Sequence, residues 1–330
     1  MKVLVTGGAG YIGSITARKL QGAGHEVTIL DNFSTGHRWA VEGFPLIEVD
    51  LCDREALLTT LQSHSFDAIV HFAAKSLVAE SQKNPILYWQ NNVGGSSNLI
   101  EAALQMECER FVFSSTAAVY GAPDCDLITE DQSTNPINVY GETKLAVEKM
   151  LKATAMSSGS MSAICLRYFN AAGALVDGSL GEWHEPETHL IPNVLRAASG
   201  EAPALTIFGT DYPTPDGTCV RDYIHVEDLA DAHIKAVETQ NMGGGDFEAV
   251  NLGTERGTSE REVYLACQEI VDSDIPVTYA ERRPGDPPKL VAAAHKAHHL
   301  LGWRPAHMHI SDAVRAAWHW EQVRCSKGIK

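Results

Sequence analysis

Three glycines at the start of the chain restrict the possible folds more than any other residues. Gly7, Gly10 and Gly13 lie in GGAGYIG, between the apolar run KVLVT and the helix-like stretch SITARKLQGAG. Glycines at such a turn let the backbone approach a pyrophosphate, which then sits at a helix N-terminus where free N–H groups and the dipole favour an anion. The pattern predicts a dinucleotide-binding unit.

An acidic residue completes this unit. Asp31 follows the next apolar run, HEVTIL, about twenty residues after the glycines. A carboxylate at the end of the second strand can accept hydrogen bonds from both ribose hydroxyls of adenosine, whereas a 2′-phosphate would meet like charge. We therefore predict that the cofactor is NAD and not NADP.

Strand-like and helix-like segments continue to alternate after Asp31. Further strands are predicted at 45–50, 67–74, 110–115, 162–169 and 247–253. Their continuous apolar runs are typical of a parallel sheet covered on both faces, so the predicted fold is α/β, a Rossmann-type doubly wound parallel sheet. Ligands should collect at the carboxyl ends of the strands.

The character of the sequence changes after residue 170, where prolines and loops become frequent. This change predicts a smaller C-terminal substrate-binding lobe. The expected domains are an NAD-binding domain at 1–170, with 222–253 returning to it, and a lobe at 171–221 and 254–330.

A second chemical signal lies in VYGETK, where Tyr140 and Lys144 are four residues apart. On a helix these two side chains share a face, and an ammonium near a phenol lowers the pKa of the phenol. A tyrosine so adjusted can exchange a proton near neutral pH. Beside a nicotinamide cofactor, this pair indicates proton removal from an alcohol coupled to hydride transfer.

Composition excludes several other classes of protein. The net charge of −16 argues against a nucleic-acid partner, and no apolar run approaches the ~20 residues of a membrane span. The N-terminus is not expected to be a signal peptide. Seven cysteines without a C-x-x-C motif indicate reduced thiols and a cytoplasmic protein.

TGGAGYIGS, SSTAAVYG and YGETK resemble the extended short-chain dehydrogenase/reductase superfamily. HFAAKSLVAES, NNVGG, LRYFNAAGA, GEWHEPETHLIP, VRDYIHVEDLADAH and ERRPGD narrow this resemblance to the UDP-glucose 4-epimerase family. The resemblance covers nearly the whole chain. It implies bound NAD, a UDP-sugar substrate and a homodimer.

The resemblance also implies which residues form the site. The cofactor-binding residues are expected to be Gly7, Gly10, Tyr11, Ile12, Gly13, Asp31, Asn32, Asp50, Leu51, Phe72, Ala73, Ala74, Asn91, Ser114, Tyr140, Lys144 and Tyr168. The substrate-binding residues are expected to be Thr116, Tyr140, Asn170, His189, Leu190, Phe208, Arg221, Arg283, Asp286 and Leu290. Where the family often has a lysine that touches the pyrophosphate, this chain has Ser76, and Lys75 lies one place early.

The implied reaction interconverts UDP-glucose and UDP-galactose. Tyr140 removes the proton of the sugar 4-hydroxyl, Thr116 hydrogen-bonds the 4-oxygen, and Lys144 lowers the pKa of Tyr140. Hydride passes from C4 to NAD+ and returns to the opposite face of the 4-keto sugar. Arg221 and Arg283 are expected to bind the diphosphate, since guanidinium pairs with phosphate in a bidentate manner.

Rival functions share this scaffold. A dehydratase needs an acid and a base directly after the threonine, where this chain has Ala117 and Ala118. A catalytically dead NAD-binding regulator would be expected to lack Tyr140, Lys144 or Thr116. A 4-epimerase acting on another UDP-sugar, an N-acetylhexosamine or a pentose, shares every catalytic residue and stays open.

Histidines and acids between 182 and 189, and histidines near the end of the chain, could ligate zinc. Epimerisation by transient oxidation needs no Lewis acid, however. We therefore expect no metal site, with solvated histidines and a substrate-loop role for His189.

Overall fold

The computed structural model describes residues 1–283 and 286–329. The strands are β1 (Lys2–Thr6), β2 (Glu26–Asp31), β3 (Leu46–Glu48), β4 (Ala68–His71), β5 (Arg110–Thr116), β6 (Ser162–Tyr168), β7 (Asn170–Ala172), β8 (Leu205–Phe208), β9 (Val220–His225), β10 (Phe247–Leu252), β11 (Gly257–Ser259), β12 (Val277–Ala280) and β13 (Lys289–Leu290). The α-helices are α1 (Tyr11–Gly22), α2 (Arg54–Leu61), α3 (Val78–Lys83), α4 (Pro85–Tyr88), α5 (Gly95–Gln105), α6 (Val139–Ser158), α7 (Leu190–Ala198), α8 (Val226–Glu238), α9 (Glu260–Val271), α10 (His295–Leu301) and α11 (Ile310–Lys327). Short 3-10 helices cover Arg38–Val41 and Ala117–Tyr120, and a π-helical segment covers Trp89–Gly94.

The main sheet has seven strands in the order β10-β6-β5-β4-β1-β2-β3. Every neighbouring pair runs parallel. The chain order reverses between β1 and β4, which is where a doubly wound sheet opens a crevice at its carboxyl end. The predicted Rossmann-type fold class is confirmed.

Two hydrophobic cores explain why the strands are apolar along their whole length. Val3 and Val5 of β1 face a core shared with α1 and α8, while Leu4 faces a core shared with α2, α5 and α6. Successive side chains of a strand point to opposite faces, so a strand covered by helices on both sides must be apolar throughout.

The second part of the chain forms smaller sheets around its own core. β9 pairs with β7 and β13 in parallel and with β11 antiparallel, while β8 pairs with β12. Side chains of α7, α9 and α11 pack into one cluster with β8. β10 instead lies beside β6 in the main sheet. The domain boundaries themselves stay a prediction.

The helices within residues 1–283 and 286–329 include none that is long and apolar enough to cross a membrane. Each of the seven cysteines in these ranges is free, with Cys52 and Cys325 exposed.

Candidate active site

The glycine turn lies where β1 approaches β4. Gly7 has φ +68°, and a Cβ there would lie 2.5 Å from the Ala73 nitrogen. A Cβ on Gly13 would lie 2.3 Å from the Gly7 carbonyl oxygen. A side chain at Gly7 would therefore push the turn away from the segment after β4, and one at Gly13 would push α1 away from the turn.

The first turn of α1 is open to an anion. The residue before it, Gly10, has no side chain to accept hydrogen bonds from the N–H groups that begin the helix. Tyr11, Ile12 and Gly13 supply these N–H groups. The donors and the helix dipole fit the pyrophosphate of a dinucleotide.

Asp31 is fixed at the end of β2 by backbone donors. Its Oδ2 accepts from the Ala9 N–H at 2.9 Å and its Oδ1 accepts from the Phe33 N–H at 2.8 Å. Burial raises the pKa of this carboxyl, and these backbone hydrogen bonds work in the opposite direction. The residue stands next to the glycine turn, as an adenosine ribose requires.

Asn32, which directly follows Asp31, contacts Asp50 after β3. The Asn32 side chain donates to Asp50 at 3.0 Å, and the Cys52 N–H donates to the other Asp50 oxygen at 2.8 Å. Burial opposes ionisation of Asp50, but these hydrogen bonds and the charge of Lys75 lower its pKa. The Lys75 side chain is therefore near Asp50, while Ser76 is exposed.

Asn92 is a residue that the sequence analysis missed. Its amide donates to the Lys75 carbonyl at 3.0 Å and accepts from the Lys75 N–H at 2.8 Å, while it also donates to Thr143 at 3.1 Å. This buried side chain thus joins the loop after β4 to α6. The predicted cofactor contact Asn91 donates to Asn92 at 2.9 Å.

The helix that carries the tyrosine–lysine pair packs closely against the end of β5. Asn138 caps α6 by accepting the Gly141 N–H at 2.8 Å. A Cβ on Gly141 would lie 2.6 Å from the Ala118 carbonyl oxygen, so glycine permits this approach. The Tyr140 side chain is thereby brought close enough to Thr116 for the Thr116 hydroxyl to lower the pKa of the phenol.

Lys144 is buried below Tyr140 on the same face of α6. Its Nζ donates to the Ser114 carbonyl at 2.7 Å and lies 4.7 Å from the centre of the Phe113 ring. The Tyr140 ring centre is 5.9 Å away. Burial lowers the pKa of Lys144 to about 7, with Cys165 and Glu148 acting in the opposite direction.

The pKa of Tyr140 differs from the predicted direction. Burial raises it to about 12, and the Thr116 hydroxyl acts in the opposite direction. That Lys144 lowers the pKa of Tyr140 stays a prediction.

Tyr168 joins this group from β6. Its hydroxyl hydrogen-bonds the Ser114 hydroxyl. Ser114 therefore contacts Tyr168 through its side chain and Lys144 through its carbonyl. Phe72, which follows β4, approaches from the other side, with its ring 4.7 Å from that of His233.

The candidate substrate residues gather around β9. Asn170 of β7 lies opposite Tyr223, and Leu290 of β13 lies opposite Arg221. Arg221 is 8% exposed and forms an ion pair with Asp286. Leu290 is partly buried and, like Phe169, packs against a small apolar cluster around Tyr120.

Phe208 and Arg283 form a separate contact. The Arg283 guanidinium lies 4.1 Å from the centre of the Phe208 ring. Such a stacked arginine keeps its donors free for a planar or anionic ligand.

His189 and Leu190 lie at the start of α7. Leu190 packs against the core of the second part of the chain. The His189 Nδ1 lies 2.8 Å from a Glu182 oxygen and 3.0 Å from a Glu187 oxygen. The charge on Glu182 raises the pKa of His189 well above its ordinary value.

The segment VRDYIHVEDLADAH contains another residue without a predicted role. Asp222 is fully buried and accepts from the Thr254 N–H and hydroxyl at 2.9 and 2.8 Å, and from the Ala292 N–H at 3.2 Å. It therefore holds the segments after β10 and β13 against β9. An acid in the interior of a predominantly buried strand was the available signal.

Comparisons with known proteins agree with this geometry. The model described as "NAD dependent epimerase/dehydratase family" matches residues 3–253. A UDP-glucose 4-epimerase from Halalkalibacterium halodurans is 47% identical over 324 residues, which are 98% of this chain and 96% of the relative.

Two solved structures are similar over nearly their whole length. The UDP-glucose 4-epimerase from Brucella ovis in complex with NAD is 46% identical with a TM-score of 0.92, covering 97% of this chain and 98% of that one. The UDP-glucose-4-epimerase from Stenotrophomonas maltophila with bound NAD and formylated UDP-arabinopyranose is 38% identical with a TM-score of 0.94, covering 99% of each chain.

Proposed function

The chain belongs to the NAD dependent epimerase/dehydratase family, and on this premise we propose that it is an NAD-dependent isomerase that interconverts UDP-glucose and UDP-galactose. The observation that carries the proposal is the contact of Tyr140 with Thr116 above the buried Lys144, at the carboxyl end of β5. When bound, NAD+ would supply a hydride acceptor for sugar C4, and the NADH so formed would supply the hydride for the opposite face of the keto sugar.

Side chains of the protein carry out the proton transfer. Tyr140 accepts the proton of the 4-hydroxyl and returns it after the keto sugar has turned over. Thr116 holds the 4-oxygen and relays its proton, since its hydroxyl lies close enough to Tyr140 to lower the pKa of the phenol. Lys144, fixed by the Ser114 carbonyl, positions the nicotinamide ribose.

Binding of the two ligands is divided between the parts of the chain. The first turn of α1 binds the pyrophosphate of NAD, and Asp31 and Asn32 bind its adenosine ribose. Arg221 and Arg283 bind the diphosphate of the UDP-sugar, with Asp286 orienting Arg221. Ala117 and Ala118 leave the site without the acid and base of a dehydratase.

The direct test uses purified protein with UDP-galactose and no added reductant. We expect UDP-glucose to accumulate to an equilibrium mixture. A regulator that only binds NAD would leave UDP-galactose unchanged, and that result would exclude the proposed activity.

The cofactor should remain bound through purification and be sensitive to the glycine turn. We expect denatured wild-type protein to release about one NAD(H) per chain and Gly13→Ala protein to release almost none, because the new Cβ would lie 2.3 Å from the Gly7 oxygen. Gly22→Ala in the same helix is the matched control, since nothing lies within 4 Å of its Cβ. Equal nicotinamide content in all three proteins, or dependence on added NADP, would contradict the cofactor assignment.

Leu290 bears on which UDP-sugars the site accepts. Some epimerases have tyrosine at the aligned position, which is expected to lie beside the C2 substituent. Leucine is smaller, and enlarging a packed wall costs about 1–3 kcal/mol. We therefore expect measurable epimerisation of UDP-N-acetylglucosamine beside UDP-glucose.

Leu290→Tyr should suppress the acetylated substrate selectively, by about tenfold, which corresponds to ~1.4 kcal/mol. Kinetics with both substrates measure the effect, and Leu265→Tyr on the exposed side of α9 is the control. If wild type ignores the N-acetyl sugar, or if Leu290→Tyr slows both substrates equally, Leu290 is only a packing residue.

A homodimer in the cytoplasm is part of the same proposal. The dimer follows from the family resemblance, and the free thiols support a reducing compartment. Sedimentation of the purified protein measures the assembly state.

A further inference from the structure

Two carboxylates and two imidazoles converge in the loop that precedes α7. Glu182, His184, Glu187 and His189 form this 182–189 cluster, in which one ligand atom from each side chain lies within 4.8 Å of all the others. The Glu182 and Glu187 side chains are only 6% and 1% exposed, while those of His184 and His189 are 31% and 44% exposed. The carboxylates are therefore buried, while the two histidines are partly exposed.

One side of the cluster is hydrogen-bonded and the other is not. The Glu187 Oε1 accepts from the Thr188 and His189 N–H groups and lies 3.0 Å from the His189 Nδ1. The His184 Nδ1 lies 3.3 Å from a Glu182 oxygen and 3.6 Å from the Glu187 Oε2. Neither this nitrogen nor this Glu187 oxygen has a hydrogen-bond partner within the described residues, although both are buried. Leaving a buried carboxylate oxygen unpartnered is costly. The His184 Nδ1 and the Glu187 Oε2 are therefore the two buried atoms of the cluster that a bound ion would satisfy.

The spacing of the cluster matches a tetrahedral metal site. One Glu182 oxygen lies 2.8 Å from the His189 Nδ1 and 3.3 Å from the His184 Nδ1, while the two Glu187 oxygens lie 3.0 Å from the His189 Nδ1 and 3.6 Å from the His184 Nδ1. Zinc bonds of about 2.0–2.1 Å to nitrogen and oxygen place neighbouring tetrahedral ligands about 3.3 Å apart. We propose that the 182–189 cluster binds a divalent transition-metal ion of the zinc class through two histidine Nδ1 atoms and two carboxylates.

No other cation compensates these carboxylates within residues 1–283 and 286–329. Their charged partners are the two histidines, with no lysine or arginine nitrogen within 4.0 Å. The nearby Arg196 instead donates to the His184 carbonyl at 3.0 Å and lies over the Trp183 ring.

A second candidate group provides a contrast. Glu201, Glu321 and Cys325 also lie close together, but the Arg324 guanidinium contacts both carboxylates at 2.7 and 2.6 Å. That group already contains its cation, so it carries no metal proposal. The 182–189 cluster differs because no arginine or lysine of the described residues neutralises its carboxylates.

The ion would fasten the loop and take no part in the chemistry. Glu182 follows the bridge between Ala174 and Gly181, and His189 directly precedes α7. One ion therefore joins both ends of the loop, while the His189 Nε2 is left for another partner. Oxidation and reduction at a sugar carbon need no Lewis acid, and the metal proposal holds whether or not the proposed function is correct.

Metal content gives the test. We expect untagged wild-type protein purified in metal-free buffer, or chelated and then loaded with Zn²⁺ and gel-filtered, to hold about one metal ion per chain. Co²⁺ should give the visible absorption of a tetrahedral site. Glu187→Gln and His184→Asn should each weaken Zn²⁺ binding at least about 100-fold, because even partners outside the ligand shell cost 10–100-fold. His295→Asn, which removes an exposed histidine 3.5 Å from Glu255, should bind like wild type.

Trp183 lies inside the loop, so its fluorescence on Zn²⁺ titration reports loading without an activity assay. This titration and the Co²⁺ spectrum need only wild-type protein, so they decide the question even if a variant does not fold. Wild-type protein that retains no Zn²⁺ or Co²⁺ after loading, or a Glu187→Gln protein that folds and retains as much, would show that the cluster is only a histidine–carboxylate ion-pair network.

Discussion

Replacing Tyr140 with phenylalanine should lower kcat by about 10²–10⁴ while UDP-sugar affinity stays nearly unchanged, because general acid–base catalysis contributes this much. Phenylalanine keeps the ring above Lys144 and removes the hydroxyl whose pKa Thr116 lowers. Steady-state kinetics with UDP-galactose, together with direct measurement of UDP binding, separate catalysis from affinity.

Tyr279→Phe is the matched control for this experiment. It removes the same hydroxyl from an exposed tyrosine on β12, and we expect wild-type kinetics. A Tyr140→Phe protein within threefold of the wild-type kcat would overturn the proton-transfer role. A loss seen only in the Michaelis constant would reduce Tyr140 to a binding residue.

The largest effect on stability is expected at a buried ion pair behind the site. The Glu148 carboxylate on α6 accepts two hydrogen bonds from Arg167 of β6, at 2.9 and 2.5 Å, and one from Ser115. Arg167 also donates to the Tyr120 hydroxyl at 2.9 Å. Glu148→Ala leaves the guanidinium buried without its counterion, so the free energy of unfolding should fall by about 3–5 kcal/mol.

Urea unfolding followed by circular dichroism measures this loss. Glu101→Ala is the control, because it breaks an exposed arginine–carboxylate pair with Arg54, and such pairs contribute about 0–1 kcal/mol. The double variant Glu148→Leu, Arg167→Met should lose less stability than Glu148→Ala, since no charge is left unpaired. If Glu148→Ala and the double variant lost the same free energy of unfolding, packing and not the unpaired charge would be responsible.

The fold and the cofactor site could be predicted from the sequence because their signals are local. The three glycines, the flanking strand and helix and Asp31 lie within one short unit, and chain direction alone brings them together. The position of Tyr140 and Lys144 on one helix face follows in the same way from helical spacing. The continuous apolar runs of the strands also predicted a sheet covered on both faces.

Tertiary structure alone decided how the environment changes these side chains. Burial raises the pKa of Tyr140 to about 12 and lowers that of Lys144 to about 7, which spacing along a helix cannot reveal. Asn92 and Asp222 bind backbone groups that become neighbours only on folding. The sequence likewise placed Glu182 and Glu187 in a polar loop. Only the packed chain shows that their carboxylates are buried between two histidines, because burial depends on contacts between segments that are distant in the sequence.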